Sequence, residues 1–145
     1  MSGNEKNAGI MEVSSLNIAI YEEEKREREK LRKIILSEGV HSAAAFDSMD
    51  KLLEYIRLNP VNVVFISLKD AEERGYFLIK EIRKKYRDMN VVVWSDNLKY
   101  GYELMQLRIS GYITGGLTRE NVAEELGNLR YKCMALLNTV GITEG

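Results

Sequence analysis

Residues 61–68 read VNVVFISL, apolar at odd and even positions alike until Ser67. A strand with only one buried face alternates apolar and polar side chains, so this run predicts a strand covered on both sides, as in the middle of a parallel sheet. Residues 90–95, NVVVWS, repeat the pattern, and residues 16–21, LNIAIY, give a third such run that stops at Glu22, Glu23 and Glu24. Val40 to Phe46 is a weaker, Ala-rich strand opened by His41, and Gly111 to Thr114 a brief fifth one.

The segments between these runs carry helical spacing. About Glu24 to Ser37 is charged and then places Leu31, Ile34 and Ile35 on one side before Gly39. Asp47 and Ser48 are candidate caps for a helix with Leu52, Leu53, Ile56 and Leu58, ended by Pro60. Ala71 to Tyr86 is expected to bury Phe77, Leu78, Ile79 and Ile82, and its Lys/Arg-rich last turn suits the negative end of the helix dipole. A shorter helix is expected over about Leu98 to Leu107, interrupted by Gly101, and Thr118 caps a last one carrying Val122, Leu126, Leu129, Met134 and Leu137. Five strands alternating with five helices predict an α/β fold, a parallel sheet with helices on both faces and right-handed crossovers. Ligands in such sheets bind beyond the carboxyl ends of the strands. The residues to read are therefore 22–24, 67–70, 95–97 and 114–118.

Composition bounds the function. The chain has 145 residues, enough for one domain burying about two thirds of its unfolded surface. Residues 1–15 and 138–145 lack packing residues and read as flexible ends around a domain spanning 16–137, and the outermost residues, Met1-Ser2-Gly3 and Glu144-Gly145, look like remnants of cloning. With 21 basic against 22 acidic residues, net charge −1, direct nucleic-acid binding is not expected, and no apolar run is long enough to span a membrane. One cysteine, Cys133, excludes an internal disulfide, and no apolar leader opens the chain, so a reducing cytoplasm is the expected compartment. His41, Cys133 and Trp94 read as packing residues.

In the order of its landmarks the chain resembles the receiver domain of bacterial two-component response regulators, from about Leu16 to Leu137. That family carries an acidic pair after strand one, an aspartate ending strand three, a Ser or Thr ending strand four, and an aromatic followed three residues later by Lys-Pro. Here those positions hold Glu22 and Glu23, Ser67, Ser95, Tyr112 and Gly115-Gly116, and stretches such as LIKEIRKKYRDMNVVVWSD and ISGYI are close to the family's wording. The resemblance implies a flavodoxin-like sheet of strand order 2-1-3-4-5, a switch pair at Ser95 and Tyr112, and a contact face including Tyr102, Gln106, Tyr112 and Arg119.

It also implies that the family's chemistry is impaired. Family members form an acyl phosphate on the strand-three carboxylate, with Mg²⁺ held by that group and the acidic pair and a lysine on a phosphoryl oxygen. Ser67 replaces the acceptor and Gly115 the lysine. A serine hydroxyl needs an adjacent base, and neither His nor Lys stands at the matching positions. A hard cation loses a carboxylate ligand, leaving Glu22 and Glu23 as a weak Mg²⁺ site or simply as acids favouring a helix N-terminus. No other cofactor is expected. The expected function is a pseudo-receiver, not an enzyme, acting by contact with a protein partner or by dimerisation. Two rivals stay open: a conventional receiver using Asp70, and a small flavodoxin-like enzyme or ligand carrier using the Gly115-Gly116 loop for phosphate. Most family members carry an output domain, often DNA-binding, after the receiver, and this chain ends soon after the last predicted helix.

Overall fold

The computed structural model of the chain describes residues 12–69, 72–96 and 99–131. After a 3₁₀ turn at Val13–Ser15, strand β1 (Asn17–Tyr21) leads to helix α1 (Lys25–Leu36), β2 (Ser42–Phe46) to α2 (Met49–Leu58), β3 (Val63–Ser67) to α3 (Glu72–Lys85), β4 (Asn90–Trp94) to α4 (Gly101–Gln106), and β5 (Gly111–Ile113) to α5 (Arg119–Gly127). All neighbouring strands pair in parallel, in the order β2-β1-β3-β4-β5. This is the expected flavodoxin-like architecture.

Strand alternation divides the core into two layers. Ile18, Ile20, Val63, Phe65, Val92 and Trp94 pack with Leu31 and Ile35 of α1 and Val122 and Leu126 of α5. Ala19, Tyr21, Val64, Ile66, Val91 and Val93 face the other way, onto Leu52, Ile56, Leu78, Ile79, Ile82 and Leu104 of α2, α3 and α4. Both faces of β3 and β4 are therefore buried, which is why their sequences do not alternate. Gly75 lets α3 lie close on the sheet, since a Cβ there would stand 2.2 Å from Leu68 Cδ2. Among the described residues no helix is long and apolar enough to cross a membrane.

Several details differ from expectation. Phe77 is 51% exposed and Leu58 62% exposed. At 100° per residue, Gly75, Leu78, Ile79 and Ile82 make one stripe on α3 and leave Phe77 outside it, while Leu58 lies two residues, more than half a turn, beyond the buried Ile56. Gly101 opens α4 and does not interrupt it. The last helix stops at Gly127, where Asn128 turns out of helical geometry and its side chain donates to the Glu124 carbonyl. Leu129 still packs on the core, but from beyond the helix. His41 is exposed and therefore not a packing residue. Cys133, Met134, Leu137, Asp70 and the terminal segments 1–11 and 138–145 lie outside the described residues.

Candidate functional site at the carboxyl end of the sheet

The sheet order brings the ends of β1, β3 and β4 side by side, so the loops carrying Glu22, Glu23, Ser67 and Ser95 meet at one edge. Glu22 follows the last residue of β1 and is buried, its backbone N–H donating to the Phe46 carbonyl at 3.1 Å. Its Oε2 accepts from the Glu24 backbone N–H at 2.9 Å. Glu24 in turn caps α1, accepting from the N–H groups of Arg26 and Glu27. Of the acids after β1, Glu22 and Glu24 thus serve the first turn of a helix.

Glu23 takes the opposite side of the chain from Glu22. Both its carboxylate oxygens accept from Arg74 of α3, at 2.7 Å from Nε and 2.7 Å from Nη2, and the hydroxyl of buried Tyr21 donates to Oε2. The Arg74 guanidinium holds the Glu23 carboxyl below the usual carboxylate range. Burial, reinforced by the neighbouring carboxylate, pushes the Tyr21 phenol well above its ordinary value. Sequence reading missed Arg74. The signal was there, since an arginine in the first turn of a helix opposes the dipole and calls for a nearby anion.

Ser67 closes β3 and is buried, and its hydroxyl accepts from the Lys69 backbone N–H at 3.3 Å. The Lys69 ammonium lies 5.2 Å from the centre of the Trp94 ring and 3.5 Å from Glu27 Oε1. Trp94, a core residue as expected, also ties down a loop, because its indole N–H donates to the Gly115 carbonyl at 3.0 Å. Arg28 reaches back from α1 to the carbonyls of Glu22 and Glu23 at 3.0 and 3.2 Å. Lys69 and Arg28 were also missed, because their partners come from other elements or from backbone that only the fold brings near.

Ser95 is buried and its N–H donates to the Ile113 carbonyl at 3.1 Å. Tyr112 is half-buried against the α2–α4 layer. Gly115 has φ +76°, a backbone that suits glycine, and the loop is held by its carbonyls: Gly115 by Trp94, and Gly116 by Asn121 Nδ2 at 2.9 Å. Thr118 and Asn121 form a reciprocal capping box at the start of α5. Two of the backbone N–H groups there are thereby taken up internally, which works against an anion pocket at this loop.

Of the expected contact residues, Tyr102 is 74% exposed and Gln106 is exposed on the same helix, where Met105, not anticipated, is 72% exposed. Arg119 is turned elsewhere, donating to Glu38 Oε2 at 2.9 Å and to the Ser37 carbonyl at 3.0 Å at the end of α1.

Among the described residues the donor set does not fit the divalent cation that the resemblance implies. Magnesium asks for several carboxylate, carbonyl or water oxygens in near-octahedral array. Both oxygens of Glu23 are engaged by Arg74, β3 ends on a neutral hydroxyl, and among the described residues no three His, Cys, Asp or Glu side chains are grouped as a metal site.

Residues 18–126 match the family model for the response regulator receiver domain. Against curated proteins nothing matches. Among solved structures, the chain is similar to the response regulator TrrA of Thermotoga maritima in complex with Mg²⁺-BeF, at 18% identity and TM-score 0.68, covering 77% of this chain and 96% of that one. It is also similar to the N-terminal receiver domain of a two-component response regulator from Bacteroides fragilis, at 19% identity and TM-score 0.70, covering 79% and 95%. A CheY-like receiver domain from Methylobacillus flagellatus gives 19% identity and TM-score 0.70, covering 78% and 97%.

Proposed function

The chain belongs to the response regulator receiver domain family, and from that premise we propose that it serves two-component-type signalling by protein contact, without carrying a phosphoryl group on an aspartate. The observation that carries this reading is Ser67, a buried hydroxyl at the residue closing β3. An acyl phosphate needs a carboxylate there. A serine would need a base to remove its proton, and the Lys69 amine, the nearest in sequence, is directed to Trp94 and Glu27.

The crevice is furnished with internal cations. Arg74 neutralises Glu23, and Lys69 covers the Trp94 ring close to the Gly115 loop. A lysine cannot simply be restored at 115, because φ +76° disfavours any residue with a Cβ. A ligand biases a two-state element only through its different affinity for the two states, so a domain that takes no phosphoryl group has no such input to Ser95 and Tyr112. The working surface on this reading is α4, where Tyr102, Met105 and Gln106 are exposed, while Leu104 of α4 and Tyr112 of β5 belong to the same apolar layer. Large exposed apolar side chains of this kind are the usual anchors of a protein contact, with a partner or a second copy.

The test is incubation with acetyl phosphate and Mg²⁺ followed by intact-mass measurement under conditions that preserve acyl phosphates. The expected result is no adduct. An adduct that survives in Ser67→Ala and is lost in Asp70→Asn would replace this reading with a conventional receiver using Asp70, and one lost in Ser67→Ala would make Ser67 itself the acceptor.

A further inference from the structure

Arg83 of α3 is buried, and the hydrogen-bond partners of its guanidinium are backbone carbonyls. It donates to five of them, from two separate turns: Tyr86 at 3.2 Å, Arg87 at 2.8 Å and Met89 at 3.0 Å, between α3 and β4, and Leu107 at 2.8 Å and Arg108 at 3.1 Å, after α4. Such bonds to a charged donor are among the stronger ones, and the planar fork of arginine, unlike the point charge of lysine, spans both turns at once. Arg108 has φ +53°, an unfavourable backbone for a residue with a Cβ. Its carbonyl is one that Arg83 holds.

The other side of the guanidinium is covered by the Tyr131 ring, whose centre lies 5.4 Å away. Tyr131 is seated by its backbone on buried Asn90, the first residue of β4. The Asn90 amide donates to the Tyr131 carbonyl at 2.7 Å, and its Oδ1 accepts from the Tyr131 N–H at 2.8 Å and from the Ser110 hydroxyl at 2.7 Å. The segment after α5, the turn after α4 and the start of β4 therefore meet at one node, at the end of the sheet away from Ser67.

We propose that Arg83 and Tyr131 form a latch coupling the end of α4 to the segment by which the chain leaves the sheet, so that the seat of Tyr131 and the order of α4 change together. A protein bound on α4 then alters the exit segment, and tension on the exit segment alters α4. That use of the latch rests on the reading of α4 as a contact surface; the latch itself does not. The coupling is reciprocal by thermodynamic necessity.

Backbone hydrogen exchange on the full chain, without any partner, tests it. Tyr131→Ala removes a half-buried ring, leaving Asn90 in place, and is expected to speed exchange of the Leu104, Leu107 and Arg108 amides on the order of five- to tenfold, with Ile18–Tyr21 and Val63–Ile66 unchanged. Arg83→Lys is expected to speed the same amides and that of Tyr131 as well. Acceleration confined to residues 128–131 in Tyr131→Ala would overturn the coupling, as would an even acceleration across all five strands, which would mark a loss of global stability only. If Arg83→Lys does not fold, Tyr131→Ala decides the matter alone. Because no partner or phosphodonor is present, either result leaves the acetyl phosphate outcome to be judged separately.

Discussion

Arg74 shows how one side chain changes the chemistry of a site it does not border in sequence. It stands in the first turn of α3, where a cation is disfavoured, and its two parallel bonds to Glu23 offset that placement. The Glu23 carboxyl is held below its ordinary range chiefly by these bonds. A carboxyl depressed in the folded state adds stability above its unfolded pKa, and loses it as pH falls through the folded value. Arg74→Ala should therefore raise the Glu23 pKa toward the ordinary range, read from its side-chain carboxyl carbon by NMR. The urea midpoint of the variant should lie below that of the wild type at neutral pH, the gap closing in acid. An unchanged Glu23 titration would contradict the assignment. Glu22, Glu23, Ser67 and Ser95 were legible in the sequence because each sits at or just after the end of a strand. Arg74 was signalled only by its place in a first helical turn, and Lys69 and Arg28 not at all, because a long flexible side chain finds its partner only once helices and loops are placed.

At the scale of elements, caps fix what periodicity leaves open. Thr118 was readable as the start of α5, and the structure adds Asn121 as its reciprocal partner. Replacing Thr118 by Ala should destabilise the fold by about 1 kcal/mol, the usual worth of such a cap, measured as a lowered urea midpoint with unchanged slope; no shift would mean that the cap is dispensable. The far end of the same helix was misread. Leu129 continued the pattern, yet Gly127 and Asn128 end the helix and Leu129 reaches the core from beyond it. Periodicity reports which residues are buried and not whether they belong to one helix. The same limit placed Phe77 inside α3, where three consecutive apolar residues cannot all face the sheet.

For the whole molecule, the two-layered packing followed from the apolar runs themselves, since β1, β3 and β4 must be covered on both faces. Strand order did not follow from any run. It came from the resemblance, and the observed order β2-β1-β3-β4-β5 agrees. That order juxtaposes Glu22 and Ser67 at one end of the sheet and leaves the Arg83–Tyr131 node at the other, so crevice and exit segment are separated by the full length of the strands. On this account the crevice is closed to phosphorylation, and signalling belongs to α4 and the elements it touches.

The most direct measurement is the ¹H–¹⁵N spectrum of the labelled chain during titration with Mg²⁺, then with Mg²⁺ and beryllofluoride, a phosphoryl mimic of the kind bound by the Thermotoga maritima relative. The account predicts no saturable shift at Glu22, Glu23, Ser67, Ser95 or Tyr112. Saturable, concerted shifts at these residues, abolished by Asp70→Asn, would contradict it.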